Sequence, residues 1–131
     1  MQFLVLIKPE IVAHRVLTQA VLTDLRQGGV NIEKMRRMRI DRNLAKQLYQ
    51  QHKGKFFYDR LVRHITSGDV IAMRVSGTSP RNSIGSSRLW PRLEPDHQPI
   101  RQKFALSDVR NVAHASDEDV AKHELTLFNL L

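Results

Sequence analysis

The sequence predicts an α/β fold of the α+β kind: a four-stranded antiparallel sheet with helices packed on it. Four stretches read as strands, at 3–7, 30–40, 69–75 and a short run that ends before His114. Helical spacing fills 11–27, the stretch after Asp41, the stretch after Tyr58 and the chain beyond Ser116. The order reduces to βαββαβ with extra helices, the ferredoxin-like arrangement. There is no internal repeat and no glycine-rich phosphate loop of the G-x-G-x-x-G or Walker type, so any phosphate binding falls to side chains.

Each element has its own reason. The first strand is apolar without interruption from Phe3 to Ile7, as expected of a strand buried on both faces. Pro9 stops it and opens a helix, which leaves Lys8 at the strand's end. Over 11–27, Val12, Val16, Leu17, Val21 and Leu25 recur at helical spacing, and Gly28-Gly29 ends the element. The second strand carries Ile32, Met35, Met38 and Ile40, with Lys34, Arg36, Arg37 and Arg39 as a solvated basic face. Asp41 caps a helix bearing Leu44, Leu48 and Tyr49. The run His-Lys-Gly-Lys-Phe-Phe-Tyr at 52–58 leads into a helix with Leu61, Val62 and Ile65, closed by Ser67-Gly68. One of the two phenylalanines is expected to pack inward. From 76 to 99, Ser, Gly and Pro dominate and regular apolar spacing disappears.

The bulk numbers set outer bounds. A chain of 131 residues suits one domain, 1–131, with a real core. The absence of cysteine excludes disulfides and thiolate metal sites, and no apolar run approaches membrane-spanning length. A net charge of +8 favours polyanionic partners: nucleotides, nucleic acid or an anionic membrane surface. The chain opens on Met1-Gln2 and then a strand, so any Arg- and Ser-rich presequence is expected to be absent or removed.

The stretch richest in chemistry is 110–117, Arg-Asn-Val-Ala-His-Ala-Ser-Asp. Ser116 and Asp117 are expected to cap the last helix, with Asp117, Glu118 and Asp119 at its positive end. Val120, Leu127 and Leu131 would share that helix's inner face, with Glu124 one turn above Val120 and the helix ending at Leu131. A carboxylate ten residues after His114 can turn back to its ring and fix the tautomer.

Asn111-x-x-His114-Ala115-Ser116-Asp117 closely resembles the N-x-x-H-G-S-D signature of nucleoside diphosphate kinases. Val5 to Glu10 resembles that family's first strand, which typically ends in Lys-Pro-Asp. Residues 52–58 resemble its His-Lys-Gly-Arg-Pro-Phe-Phe segment, with Phe57 at the base-stacking phenylalanine and Phe56 in place of proline. The Phe-Phe-Tyr variant resembles a divergent animal branch, the sixth type of the family. Ile100-Arg101-Gln-Lys-Phe104 resembles Ile-Arg-Gly-Asp-Phe, whose arginine precedes the signature asparagine by the ten residues that separate Arg101 from Asn111. Residues 81–88 lie over a short helix that ends in a phosphate-binding arginine. That gives Arg88 the role, or Arg92 if Leu89-Trp90 matches the Leu-Trp preceding that arginine in the divergent branch.

The resemblance implies transfer of a γ-phosphate from a nucleoside triphosphate to a nucleoside diphosphate through a phosphohistidine. It implies that His114 is the nucleophile, that Glu124 holds its ring and that Ser116 supports both. Lys8 and Asn111 bond the ribose hydroxyls, with Lys8 near the terminal phosphate and Tyr49 orienting Lys8. Arg88 and Arg101 clamp the phosphates, Lys55 stands where the family has arginine, and Phe57 stacks on the base. Mg2+ bridges the nucleotide phosphates, with no protein ligand assigned. Ala115 replaces the family's glycine, a strain only if that position needs positive φ or close backbone approach. The loop between Arg88 and Arg101 is shortened and lacks the family's phosphate-binding threonine, with Leu93 or Glu94 nearby. These departures support an alternative: a catalytically weak or silent kinase-fold module that binds nucleotide or a protein partner. A homo-oligomer and a mitochondrial or cytoplasmic location are both compatible, and nucleic-acid binding rests on charge alone.

Overall fold

A computed structural model describes residues 1–85, 98–105 and 111–131. Its elements are β1 (Phe3–Ile7), α1 (Pro9–Val12), α2 (Arg15–Gln27), β2 (Val30–Arg39), α3 (Arg42–Leu48), α4 (Tyr58–Ile65), β3 (Asp69–Gly77), α5 (Pro80–Ile84), α6 (Ile100–Phe104), β4 (Ala113–Ala115) and α7 (Ala121–Leu127). The strands form one antiparallel sheet in the order β2-β3-β1-β4.

The apolar run of β1 explains why it sits inside. All five of its residues are buried. Phe3, Val5 and Ile7 face Val21, Leu22 and Leu25 of α2, whereas Leu4 and Leu6 face Ala45, Val62, Ile65 and Leu125 from the opposite side. Helices therefore cover both faces, and each fully buried aliphatic contributes about 1.5–3 kcal/mol. Asp41 caps α3 as expected, its carboxylate accepting from the Leu44 N–H at 2.8 Å. Among the described residues no helix is long and apolar enough to cross a membrane.

Several local expectations are corrected. The helix expected over 11–27 is two helices, broken at His14, which is extended. The break resets the helical phase, so Val16 is 81% exposed while Thr18, Val21, Leu22 and Leu25 point inward. Strand β2 carries a register irregularity between Ile32 and Lys34, and Met35 is exposed. Its basic side chains are not all merely solvated: Arg37 pairs with Asp69 at 2.8 Å and Arg36 donates to the Phe128 carbonyl. The short helix α5 stops at Ile84, where Gly85 turns at φ 86, and the remainder of the 81–88 expectation lies outside the described residues. Helix α6 was not expected. Strand β4 contains His114 rather than ending before it.

The last helix also differs. Ser116 and Asp117 do not cap it; a turn intervenes and Val120 is the N-cap. Ser116 is drawn into the sheet's underside and Asp117 pairs with Arg81. The inner face is Ala121, Glu124, Leu125 and Phe128, with Leu127 half-buried against the same core as expected, whereas Val120 is the N-cap and Leu131 is exposed. The helix ends at Leu127, with Asn129 at φ 55 beyond it.

Candidate active site

Four pieces of chain meet where β1 and β4 run side by side: the end of β1, the turn before β4, β4 itself and α7. His114 sits in β4 opposite Leu6. Its Nε2 lies 2.8 Å from Glu124 Oε1, and its side chain keeps 17% exposure against 7% for Glu124. Ser116 Oγ donates to the same oxygen at 2.7 Å and accepts from the Leu4 N–H at 3.2 Å. A hydroxyl has one proton, so the chain runs Leu4 N–H to Ser116 Oγ–H to Glu124 Oε1. Burial pushes the Glu124 carboxyl up, but the His114 bond and charge, the Ser116 bond and His123 outweigh it, and the group sits below its ordinary range. An ionised carboxylate only accepts, so Nε2 carries the proton and Nδ1 presents a lone pair.

Lys8 is buried at the N-cap of α1, and its Nζ donates to Asn111 Oδ1 at 2.6 Å. Its backbone N–H donates to the Val112 carbonyl at 2.8 Å. Val112 itself stands at φ 83, and the Ala113 N–H closes on the Asn111 carbonyl at 3.1 Å. This is a γ-turn of the strained hand, built on a β-branched residue, and costs of order 1–3 kcal/mol. Glu10 Oε2 accepts from the Val112 N–H at 3.0 Å.

Arg101 braces the same turn from α6. Its fork donates to the carbonyls of Asn111 (3.2 Å), Gly85 (2.9 Å) and Ala113 (2.8 Å). A Cβ on Gly85 would meet Pro99 at 2.5 Å, so the close approach of that carbonyl depends on glycine. A guanidinium has five N–H groups; these three bonds leave one on each Nη. Burial and the nearby Arg81 lower the Arg101 pKa, with no consequence for its charge at physiological pH.

A run of rings leads outward from the histidine. Tyr49 stands edge-on to His114 with centroids 6.1 Å apart, then His52 lies 6.3 Å from Tyr49, Phe57 5.4 Å from His52 and Phe56 5.3 Å from Phe57. Tyr49 Oη is buried and has no hydrogen-bond partner among the described residues, so its phenol packs against His114 rather than tethering Lys8. Burial, aided by the charges of Glu124 and Glu10 and opposed by Arg101, holds that phenol far above its ordinary pKa. His52 Nδ1 lies 3.3 Å from Lys55 Nζ, and Lys55 Nζ lies 5.7 Å from the Phe57 centroid. Burial, Lys55 and His114 all lower the His52 pKa and favour its neutral ring. Phe57 is half-buried and Phe56 is 88% exposed.

Of the residues expected from sequence, the structure thus brings together His114, Glu124, Ser116, Lys8, Asn111, Tyr49 and Arg101, with Lys55 and Phe57 at the outer end of the ring series. Arg88, its alternative Arg92, Arg110, Leu93 and Glu94 lie outside the described residues. Ala115 pairs with Val5 in ordinary strand geometry and is not among the residues at positive φ, so it imposes no backbone strain. Among the described residues no group of three or more His, Asp or Glu could hold a metal ion. The sequence did not single out Glu10 or His52. Their only signals were their places two residues after Lys8 and at the head of the His-Lys-Gly-Lys run.

The sequence profile of the family described as nucleoside diphosphate kinase matches residues 2–129. The chain belongs to the nucleoside diphosphate kinase family. A relative of that name from Ignicoccus hospitalis is 39% identical over 130 residues, covering 95% of this chain and 85% of the relative. Another from Metallosphaera sedula is 39% identical over 129 residues, covering 95% and 89%. Among solved structures, a halophilic nucleoside diphosphate kinase from Halobacterium salinarum in complex with CDP aligns at a TM-score of 0.85. It is 31% identical, with 98% of this chain and 86% of that chain covered. The Aquifex aeolicus enzyme of the family, 23% identical at a TM-score of 0.83 over 97% of this chain and 93% of that one, shares the fold.

Proposed function

We propose that this chain carries out nucleoside diphosphate kinase chemistry through a phosphohistidine on His114 Nδ1. The observation that carries the proposal is the pairing of His114 Nε2 with a carboxylate that Ser116 also holds. It leaves Nδ1 as the nucleophile and needs no strong base, because neutral imidazole is already nucleophilic at physiological pH. The Nδ1 lone pair attacks the γ-phosphorus in line. The bond from that phosphorus to the β–γ bridging oxygen breaks, and its electrons leave with the nucleoside diphosphate. The ring, now bonded through Nδ1 and still protonated on Nε2, carries positive charge, and the Glu124 carboxylate faces it. In the second half-reaction an oxygen of another nucleoside diphosphate attacks the phosphoryl group, and the bonding electrons return to Nδ1.

Charge on the transferring oxygens asks for positioned cations. Lys8 supplies a buried ammonium held by Asn111, and that pair meets the ribose hydroxyls and the terminal phosphate. Arg101 uses its remaining N–H groups on the phosphates while bracing the turn, and Arg88 is assigned the second guanidinium. Tyr49 packs its ring edge-on against His114. Phe57 stacks on the base, with Lys55 beside it. The triphosphate enters as its magnesium complex. Bound magnesium would neutralise phosphate charge, and among the described residues no cluster of His, Asp or Glu would hold it apart from the nucleotide. The CDP complex of the Halobacterium salinarum relative supports a nucleotide ligand here.

The test is incubation with γ-labelled ATP. Acid-labile label should appear on the wild type and not on His114→Ala, and a wild type that takes no label rejects the proposal. The silent-module alternative predicts nucleotide binding without turnover. The resemblance alone supports a homo-oligomer and a mitochondrial or cytoplasmic location; sedimentation and cell fractionation test these.

A further inference from the structure

Glu10 is a buried carboxylate that the phosphoryl-transfer steps do not use. Its side chain is 8% exposed, and its two oxygens have separate partners. Oε2 accepts from the Val112 N–H at 3.0 Å, and Oε1 lies 2.7 Å from His64 Nε2. His64 comes from α4, on the other side of the carboxylate from the turn, and its side chain is 14% exposed.

The strained turn at Val112 depends on what its polar groups meet. The Val112 carbonyl is taken by the Lys8 N–H, and the carbonyls of Asn111 and Ala113 are taken by Arg101. The Val112 N–H is answered by Glu10. Glu10 also belongs to α1, whose N-cap is Lys8. One carboxylate therefore ties together both ends of the Lys8–Asn111 contact: the helix that begins at Lys8 and the turn that presents Asn111.

We propose that Glu10 and His64 are a positioning pair for phosphoryl transfer. Glu10 pins the Val112 N–H and thereby aims Asn111 at Lys8 and fixes the entry into β4 beneath His114, while His64 orients and balances the carboxylate. Neither touches the nucleotide. The inference rests on the phosphohistidine reading given above. His64 borders a cavity of about 510 Å³, across which stand His14 and the Arg37–Asp69 ion pair. Asp59, Arg60 and Arg63 are the other charged groups on α4. His64 meets the ionised carboxylate through Nε2–H, because a carboxylate only accepts. The net lowering of the Glu10 pKa, in which His64 and the Val112 N–H overcome burial, agrees with an ionised acceptor.

The experiment is single-turnover labelling of His114 with γ-labelled ATP in full-length variants. Glu10→Ala strands the Val112 N–H and should slow labelling about tenfold or more. Glu10→Gln should stay within about threefold of wild type. Its amide oxygen can take the Val112 N–H, and its NH2 can face His64 in the other tautomer. A residue that acts through Asn111 should also lose most of its effect once Asn111 is gone. Glu10→Ala added to Asn111→Ala should then cost less than about threefold more. If Glu10→Ala does not fold, His64→Phe, which removes only the Oε1 partner, should show slowed labelling in its place.

Labelling of Glu10→Ala at the wild-type rate overturns the inference. So does a Glu10→Gln variant as slow as Glu10→Ala, or a loss that adds in full to that of Asn111→Ala. A wild type that takes no label overturns the phosphohistidine reading itself, a result distinct from these.

Discussion

Glu124→Gln isolates the charge of the carboxylate behind the nucleophile. Ser116 Oγ accepts from the Leu4 N–H and must donate toward position 124, so the amide of the variant has to turn its oxygen to Ser116. That oxygen then occupies the place of Oε1 and still accepts from His114 Nε2–H, and the tautomer is kept. Only the charge is lost. A hydrogen bond to an ionised group contributes about 1.5–3 kcal/mol against about 1 kcal/mol for a neutral one. Facing a ring that becomes positive on phosphorylation, the change should remove about 1–2 kcal/mol of support, roughly a five- to thirtyfold slower step. Rapid-quench measurement of His114 labelling at saturating ATP reads this directly, with circular dichroism to show that the fold is retained. A rate within twofold of wild type would refute the claim that Glu124 balances charge on the ring.

Other expected outcomes follow from the same contacts. Both Glu10 and Glu124 sit below their ordinary value of 4.5 in the folded chain, so the unfolded chain binds protons more readily than the folded one. Their contribution to stability is therefore complete above that value and is lost as pH falls through the lower folded values. Urea midpoints taken from pH 7 to 3 should fall in that acid window, less steeply for Glu124→Gln, and an equal slope would contradict the assignment. Ser116→Ala removes a buried link between Leu4 and Glu124 and should cost about 1–3 kcal/mol in denaturant titration. Phe57→Ala should weaken nucleotide binding by about 1–3 kcal/mol in calorimetry, by analogy with the stacking of single bases on aromatic rings. Leu6→Ala, fully buried opposite His114, should cost about 2–5 kcal/mol in stability.

The sheet was legible because burial writes itself into composition. Phe3 to Ile7 had to be an inner strand, and the cap at Asp41 and the stop at Gly28-Gly29 are local chemistry. The cluster around His114 was legible through a motif, since a nucleophile, its carboxylate and its supporting hydroxyl are fixed in spacing by one strand and one helix. What escaped was set by contacts distant in sequence. The break at His14 turned Val16 outward, although its spacing alone placed it inside. Ser116, a plausible cap by type, is held instead by Leu4 across 112 residues. Glu10 reads as an ordinary first-turn acid until the fold sets it beside Val112 and His64, 102 and 54 residues away. The bracing role of Arg101 was hidden for the same reason, because its partners are backbone carbonyls that carry no sequence signal.

The account turns on which ring nitrogen reacts. With Nε2 tied to Glu124, the lone pair left for chemistry is on Nδ1. Phosphorus and nitrogen NMR of the protein trapped after a single half-reaction distinguishes the two attachments. The account predicts one phosphohistidine, at His114, bonded through Nδ1. Phosphate on Nε2, or on another histidine, would contradict it.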